Sequence, residues 1–335
     1  MILVGDIGGT HTRLALVSEN KGRLSIEREC IYSSREHAGL GEIVSDFIDR
    51  ERAHPEAACF GVAGPVLNGR ANVSNLAWVV DAGEISQILA ISPVWLINDL
   101  LAHASGIEDL QNEDMVVLNA GTPSPGNAAL IAAGTGLGEA GILWDGSMHR
   151  PFPAEGGHAD FAPNNEVELT LHGYLMKKFG HVSYERVLSG PGIKNVYDFL
   201  RDSGTEPEPP WLKEELEQAP DPSALISRHG VAAKATICER TLDIFVSVYG
   251  AEAGNVALRM MAVGGIYISG GIAGKLLPKM QGPLFMKAFV SKGRMRSLLE
   301  SVPVKVIVNE YIGLLGAARY ALHAGGKSFS KSLLG

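Results

Sequence analysis

The sequence is poor in the features that mark several protein classes. It has only three cysteines, Cys30, Cys59 and Cys238, spread far apart with no CxxC pair and no zinc-ligand spacing. A disulfide framework and a structural zinc site are therefore excluded. Three scattered thiols read as buried, reduced side chains of a cytoplasmic protein. No apolar run approaches the ~20 residues that span a bilayer, and the first residues form a strand pattern without a basic leader. Positive charge is in deficit: 29 Lys and Arg face 37 Asp and Glu, a formal charge of −8. That balance argues against nucleic acid and anionic membranes as partners. Aromatics make up 7% of the chain, whereas the hydrophobic share of 46% suits a globular fold.

What is present begins at the first residues. The stretch from Ile2 to Leu16 is two apolar runs joined by Gly8-Gly9-Thr10, the pattern of a β-hairpin. Glycines leave the turn backbone open to a close ligand, and turn amides with the Thr10 hydroxyl suit phosphate oxygens. Asp6 ends the first strand, where a phosphate-bound Mg²⁺ would meet a carboxylate. A second hairpin echoes the first: Ala128–Ala133, then Gly134-Thr135-Gly136-Leu137-Gly138, then Ala140–Leu143. Two α/β halves, each presenting a phosphate-facing turn to a shared cleft, would produce that echo.

Between the hairpins, strands first and then a strand–helix alternation predict a mixed sheet flanked by helices. Leu40–Arg52 is an amphipathic helix by its apolar spacing, and Ala57–Val62 and Pro93–Ile97 are buried strands. Ala71–Trp78 reads as a strand with a polar bend. Further on, Glu166–Phe179 and the long region Ser223–Met261 are helical by pattern. Thr205–Pro222, rich in Pro and Glu, reads as an exposed insertion. Gly264–Ile272 is a strand bracketed by glycine pairs, and Val304–Val308 is the last strand. Gly313–Leu322 is a small-residue helix expected to pack back on the first domain, and the tail from Gly325 is expected to be mobile. With 335 residues the chain exceeds one typical core, so two domains are expected.

Three segments carry chemistry. Asn98-Asp99 stands where a strand gives way to a helix, the edge at which open α/β folds bind ligands. A carboxylate there suits a base that takes the proton of an attacking hydroxyl; capping the following helix is the simpler role for the same residue. Glu155-Gly156-Gly157-His158, between prolines, offers an acceptor and a donor on a rigid loop, as a sugar requires; a solvated turn is the plainer alternative, and Glu and His alone are too few for a metal site. Glu185, before the Gly190-Pro191-Gly192 turn, is a further hydroxyl acceptor or else a surface helix partner.

Taken together these segments resemble the bacterial glucokinase family, the hexokinase-like group without a zinc motif in the actin-like ATPase superfamily. The blocks are Asp6–Thr10 with Arg13–Leu16, Ile97–Asp99, Gly134–Gly138, Glu155–His158 with Asp160–Pro163, Glu185–Gly192, Ser269–Ile272 and Gly313–Gly316. The resemblance implies a two-domain, ribonuclease H-like α/β fold, with residues 1–109 and 301–335 forming a small domain and 110–300 a large one. It implies an ATP-dependent glucokinase that makes glucose 6-phosphate, in the cytoplasm and as a homodimer. Asp99 would be the general base on the sugar 6-hydroxyl, and Asn98, Glu155, His158 and Glu185 would hold the other hydroxyls. Asp6, Ile7, Gly8, Gly9, Thr10 and His11, with Gly134, Thr135 and Gly136, would hold ATP phosphates, Asp6 also meeting Mg²⁺. Gly270 and Gly271 would lie near adenosine. A kinase for another hexose or amino sugar, a non-catalytic sugar sensor and an actin-like filament protein are the alternatives. His11 stands where Asn is usual, Leu100 where Phe is common, Ala154 where Gly is frequent, and Glu139 where an apolar residue is common. A carboxylate so near phosphate would have to point away.

Overall fold

The structure, a computed structural model, describes residues 1–73 and 76–325. The bend expected at Ser74-Asn75 and the tail beyond Gly325 lie outside the described residues. The chain divides into two compact units: Met1–Asp114 with Ile142–Pro153 and Asn309–Gly335, and Met115–Gly141 with Ala154–Val308.

In the first unit, β1 (Ile2–Ile7), β2 (His11–Asn20) and β3 (Arg23–Ser33) form an antiparallel meander. β4 (Ala57–Val62) runs parallel to β1 on its other side. The short β5 (Val66–Leu67), β6 (Arg70–Asn72) and β7 (Val79–Asp81) make a separate three-stranded sheet, and β8 (Val94–Asn98) joins β4 in parallel. The main sheet therefore has the order β3-β2-β1-β4-β8.

Each face of that sheet is covered for a reason visible in the residues. The helix Leu40–Glu51 buries Leu40, Ile43, Val44 and Phe47, a stripe at three- and four-residue spacing, in one core with Leu3, Leu14 and Phe60. The other face carries Val4, Ala15, Cys59 and Ile97, covered by Leu314, Ala317, Ala318 and Ala321 of the helix Ile312–Ala324. That helix crosses Asp99–Gly106 at very short range. A Cβ on Gly316 would stand 1.6 Å from the Ala102 carbonyl oxygen, and one on Gly106 2.7 Å from that of Ile312. Its guanidinium Arg319 is buried against Asp109 and Glu108, with a further bond to the Gly22 carbonyl. The expected packing of the small-residue helix on the N-terminal sheet is thus observed.

The second sheet has the order β12-β11-β10-β13-β14-β9, from β9 (Met115–Asn119), β10 (Ala128–Ala133), β11 (Leu137–Trp144), β12 (His149–Ala154), β13 (Gly265–Ser269) and β14 (Val304–Ile307). β10, β13 and β14 are parallel and β9 runs antiparallel at the edge. Its helical layer centres on Thr236–Met260, whose Phe245, Val246 and Tyr249 join a core with Ile131, Ile268 and Phe285.

Several expectations change here. The Pro- and Glu-rich stretch is no exposed insertion: it forms the helix Pro210–Gln218, which buries Leu212 and seats Leu216 in the core. The long helical region is two helices, Pro222–Val231 and Thr236–Met260, parted where Ala233 takes φ of 51°. Gly190-Pro191-Gly192 is the first turn of the helix Gly190–Asp202, capped by the Ser189 side chain, with proline where its missing N–H costs nothing. Cys59 and Cys238 are buried as expected, but Cys30 is half-buried.

Candidate active site

The polar residues of the first unit gather at one edge of its sheet. β1, β4 and β8 are parallel, with Asp6 opposite Gly61 and Gly61 opposite Ile97. Asp6 and the Ile97-Asn98-Asp99 segment therefore leave the sheet on the same side, two strand spacings or roughly 10 Å apart. Gly61 lies between them, where a Cβ would stand 3.1 Å from that of Ala102 and 3.6 Å from the Asp99 Cα.

Asn98 caps the helix Asp99–Gly106. Its Oδ1 accepts from the amides of Leu100 at 3.0 Å and Leu101 at 3.3 Å, while its Nδ2 donates to the Gly64 carbonyl at 3.2 Å. Asp99 is thus the first helical residue rather than the cap, and its Oδ1 also accepts from the Leu100 amide at 2.9 Å. The half-buried carboxylate sits at the helix start, where the dipole stabilises its charge.

One helical turn on, His103 comes to the same place, which the sequence reading had missed. A Cβ added to Gly313 would lie 3.2 Å from both Asp6 Oδ2 and His103 Nε2. Burial lowers the His103 pKa, with the Asp6 charge opposing the shift. Its i,i+4 spacing from Asp99 is the signal that marks it. The turn itself is stitched to Ser34: the Ser34 amide donates to the Thr10 carbonyl at 2.9 Å and its hydroxyl to that of Gly8 at 2.9 Å. Thr10 and His11 are exposed, and neither Gly8 nor Gly9 takes positive φ. Glycine serves here by the close approach of its backbone, since a Gly8 Cβ would meet the His11 carbonyl at 3.0 Å.

In the second unit the sequence-predicted residues cluster around Leu137. The Gly134–Gly136 turn closes with a 2.8 Å bond from the Gly134 amide to the Gly136 carbonyl, and the Gly190 amide donates to the Gly134 carbonyl at 2.8 Å. Thr135 is exposed at the tip. Glu185 Oε2 accepts from the Leu137 amide at 3.0 Å, and a Cβ on Gly136 would stand 2.5 Å from that oxygen. One oxygen of Glu185 thus fixes the turn. Gly157 packs on the same residue, where a Cβ would fall 2.0 Å from the Leu137 carbonyl.

The Glu155–His158 turn is set beside Glu185 by backbone pairing. Phe161 donates to the Val182 carbonyl at 2.9 Å and Tyr184 to that of Ala159 at 3.0 Å. Glu155 and His158 project from it with side chains 64% and 62% exposed, their polar ends 3.9 Å apart. Gly270, at φ of 90°, lies against the end of β10, where a Cβ would meet the Ala133 carbonyl at 2.5 Å; around Gly271, the first residue of a short helix, that space is open. Glu139, which follows the Gly134–Gly136 turn, is buried at 1% exposure, and its Oε2 lies 3.5 Å from Arg259.

A family model described as Glucokinase matches residues 3–324. The chain belongs to the glucokinase family. A glucokinase is a phosphotransferase, so the protein is an enzyme that moves a phosphoryl group onto glucose. It is 43% identical to a glucokinase of Nostoc punctiforme, the match covering 95% of this chain and 98% of that one. The crystal structure of a glucokinase from an Antarctic psychrotroph superposes with a TM-score of 0.83 at 30% identity, covering 96% and 98% of the two chains. A glucokinase of the ROK family from Streptomyces griseus, in complex with glucose and AMPPNP, shares the fold at a TM-score of 0.64 and 21% identity, covering 96% and 99%. The fold is thus that of the actin-like ATPase sugar kinases, as the sequence implies.

Proposed function

We propose that this chain transfers the γ-phosphoryl group of ATP to the 6-hydroxyl of D-glucose, with Asp99 as general base. The observation that carries the reading is the sheet edge where Asp99 and Asp6 emerge together, Asn98 having taken over the capping role. The sugar 6-oxygen attacks the γ-phosphorus, its bond to the β–γ bridging oxygen breaks, and ADP leaves. The hydroxyl proton passes to the Asp99 carboxylate. Glucose 6-phosphate is the product.

Glu155, His158 and Glu185 hold the remaining sugar hydroxyls. The exposed ends of the first two and the second oxygen of Glu185 provide the acceptors and donors. Asn98 keeps one amide hydrogen beyond its bond to Gly64 for the same task. The Asp6–His11 and Gly134–Gly136 turns receive the phosphates, and Gly270 with Gly271 faces the adenosine, where the lack of side chains leaves the backbone approachable. The donor set fits Mg²⁺, which takes one or two carboxylates and otherwise keeps water and phosphate oxygens. Asp6 supplies a carboxylate, and among the described residues no three His, Cys, Asp or Glu form a cage of their own. When bound, Mg²⁺ would neutralise charge on the phosphates. The cytoplasmic location and homodimeric assembly belong to this proposal on the strength of the family resemblance.

The test is Asp99→Asn. Turnover falls by ~10² or more while glucose affinity, measured by calorimetry, stays near that of the wild type. Near-normal turnover would remove Asp99 from the reaction. A panel of mannose, fructose and amino sugars on the purified enzyme checks that glucose is the preferred acceptor.

A further inference from the structure

Behind the turn that carries Glu155 and His158 lies a buried charged cluster that the reaction does not use. Glu139 of β11 is directly beneath Gly156: a Cβ added there would stand 1.9 Å from Glu139 Oε2. The helix Thr236–Met260 presents Glu252 and Arg259 to it, the Arg259 guanidinium bonding Glu252 and lying 3.5 Å from Glu139 Oε2. Asn255 donates to Glu252 at 2.8 Å and to the Tyr184 hydroxyl at 2.9 Å, and accepts from Lys292 at 2.6 Å. The cluster thus underlies both the Gly156 turn and the Tyr184–Arg186 segment that bears Glu185.

Glu139 faces Glu252 and Arg259, with the Tyr184 and Tyr249 hydroxyls nearby; Lys292 stands next to Glu252 and Arg259 and in turn feels Glu168, which completes the charged groups of the cluster. Three carboxylates against two cations leave one negative charge in excess. A single proton removes it, and Glu139 is the site that takes it. Its Oε1 is buried without a hydrogen-bond partner, an arrangement that penalises the anion. Burial, and next the Glu252 charge, push its pKa up to about 8 against the opposing pull of Arg259.

We propose that Glu139 is a positioning residue for the sugar-binding turn: its neutral carboxyl group, wedged beneath Gly156 and paired with Glu252 across Arg259, holds Glu155 and His158 in place, and its ionisation loosens them. This rests on the reading of Glu155 and His158 as sugar ligands. Loss of the proton sets a second anion beside Glu252 with one guanidinium between them. The repulsion displaces the carboxylate on which Gly156 rests, so glucose affinity falls while the base at Asp99, in the other unit, is untouched.

The experiment is the pH dependence of glucose KM and kcat between pH 6 and 9.5 for the wild type, Glu139→Gln and Glu155→Ala. Glutamine keeps the shape and cannot ionise. In the wild type KM rises about fivefold above pH 8, the scale of one lost hydrogen bond, with a smaller change in kcat. In Glu139→Gln the KM profile is flat. Hydrogen exchange gives a readout independent of turnover: at pH 9 the His158 and Ala159 amides, bonded to the Glu155 and Gly156 carbonyls, exchange faster in the wild type than in Glu139→Gln. A wild-type KM profile retained in Glu139→Gln, with equal exchange, overturns the role of Glu139. If Glu155→Ala leaves KM unchanged, the sugar-ligand reading fails and this role falls with it; a raised KM in Glu155→Ala confines any failure to Glu139.

Discussion

The two glycine turns share a sequence pattern but are held by different chemistry. Gly8-Gly9-Thr10 is fixed by neutral groups, the Ser34 amide and hydroxyl, with the Thr12 hydroxyl 3.0 Å from that of Ser34. Gly134–Gly136 is fixed by a carboxylate, Glu185, and by the first amide of the helix Gly190–Asp202. The first turn leaves Asp6 as its own local charge. The second ties its shape to a residue assigned to the other substrate. On the proposed assignment of Glu185 to the sugar, a change in the second turn reaches sugar and nucleotide together, and a change in the first reaches the nucleotide alone.

The sharpest way to break that contrast is a methyl group in each turn. In Gly136→Ala the new Cβ would stand 2.5 Å from Glu185 Oε2, so the carboxylate must shift and lose its bond to Leu137. Steady-state kinetics then show glucose KM up by about tenfold or more, as expected for one charge-assisted hydrogen bond, and ATP KM also raised. Gly8→Ala meets only the His11 carbonyl, at 3.0 Å, and shifts ATP KM by about threefold with glucose KM unchanged. Equal effects on glucose KM would erase the distinction.

Ser34→Ala probes the neutral support. It removes a bond to the Gly8 carbonyl and leaves the buried Thr12 hydroxyl without this partner, costing about 1–2 kcal/mol in urea denaturation. The pH dependence of stability is a separate readout. Glu139 holds its proton up to about pH 8 in the folded chain and loses it near pH 4.5 when unfolded. Between those values the folded state binds more protons, so stability falls as pH rises and levels off above about 8. Melting curves of the wild type drop across this window more than those of Glu139→Gln, and identical slopes would argue that Glu139 is ionised throughout.

Much of this was legible in the chain because local pattern and tertiary role agree. The stripe Leu40, Ile43, Val44, Phe47 reads as a helix and is buried as one. The small residues around Gly313 and Gly316 announce a close helix contact, and it is found at Ala102 and Gly106. The Pro210–Gln218 helix was hidden by composition, since Pro and Glu suggest a loop until Leu212 and Leu216 find a core. The short strands Val66–Leu67 and Val79–Asp81 carry too few residues for alternation to show. In the site, Asp6 and Asn98-Asp99 were placed by their position at strand ends. The burial of Glu139 beside Arg259 was out of reach because Arg259 lies 120 residues away along the chain. Burial and charge balance are properties of the folded neighbourhood, and spacing does not encode them.

The helix Ile312–Ala324 has a consequence for biosynthesis. It covers Val4, Ala15, Cys59 and Ile97, yet it follows every strand of both sheets along the chain. Ribosomes add about 5–20 residues per second, so the N-terminal sheet waits on the order of 10–40 s, from the synthesis of β8 to that of this helix, with one apolar face bare. The unit made wholly of Met115–Gly141 and Ala154–Val308 has all its residues first. The nascent chain is therefore most exposed to chaperones, and to aggregation, on the face that finally packs against Leu314 and Ala318.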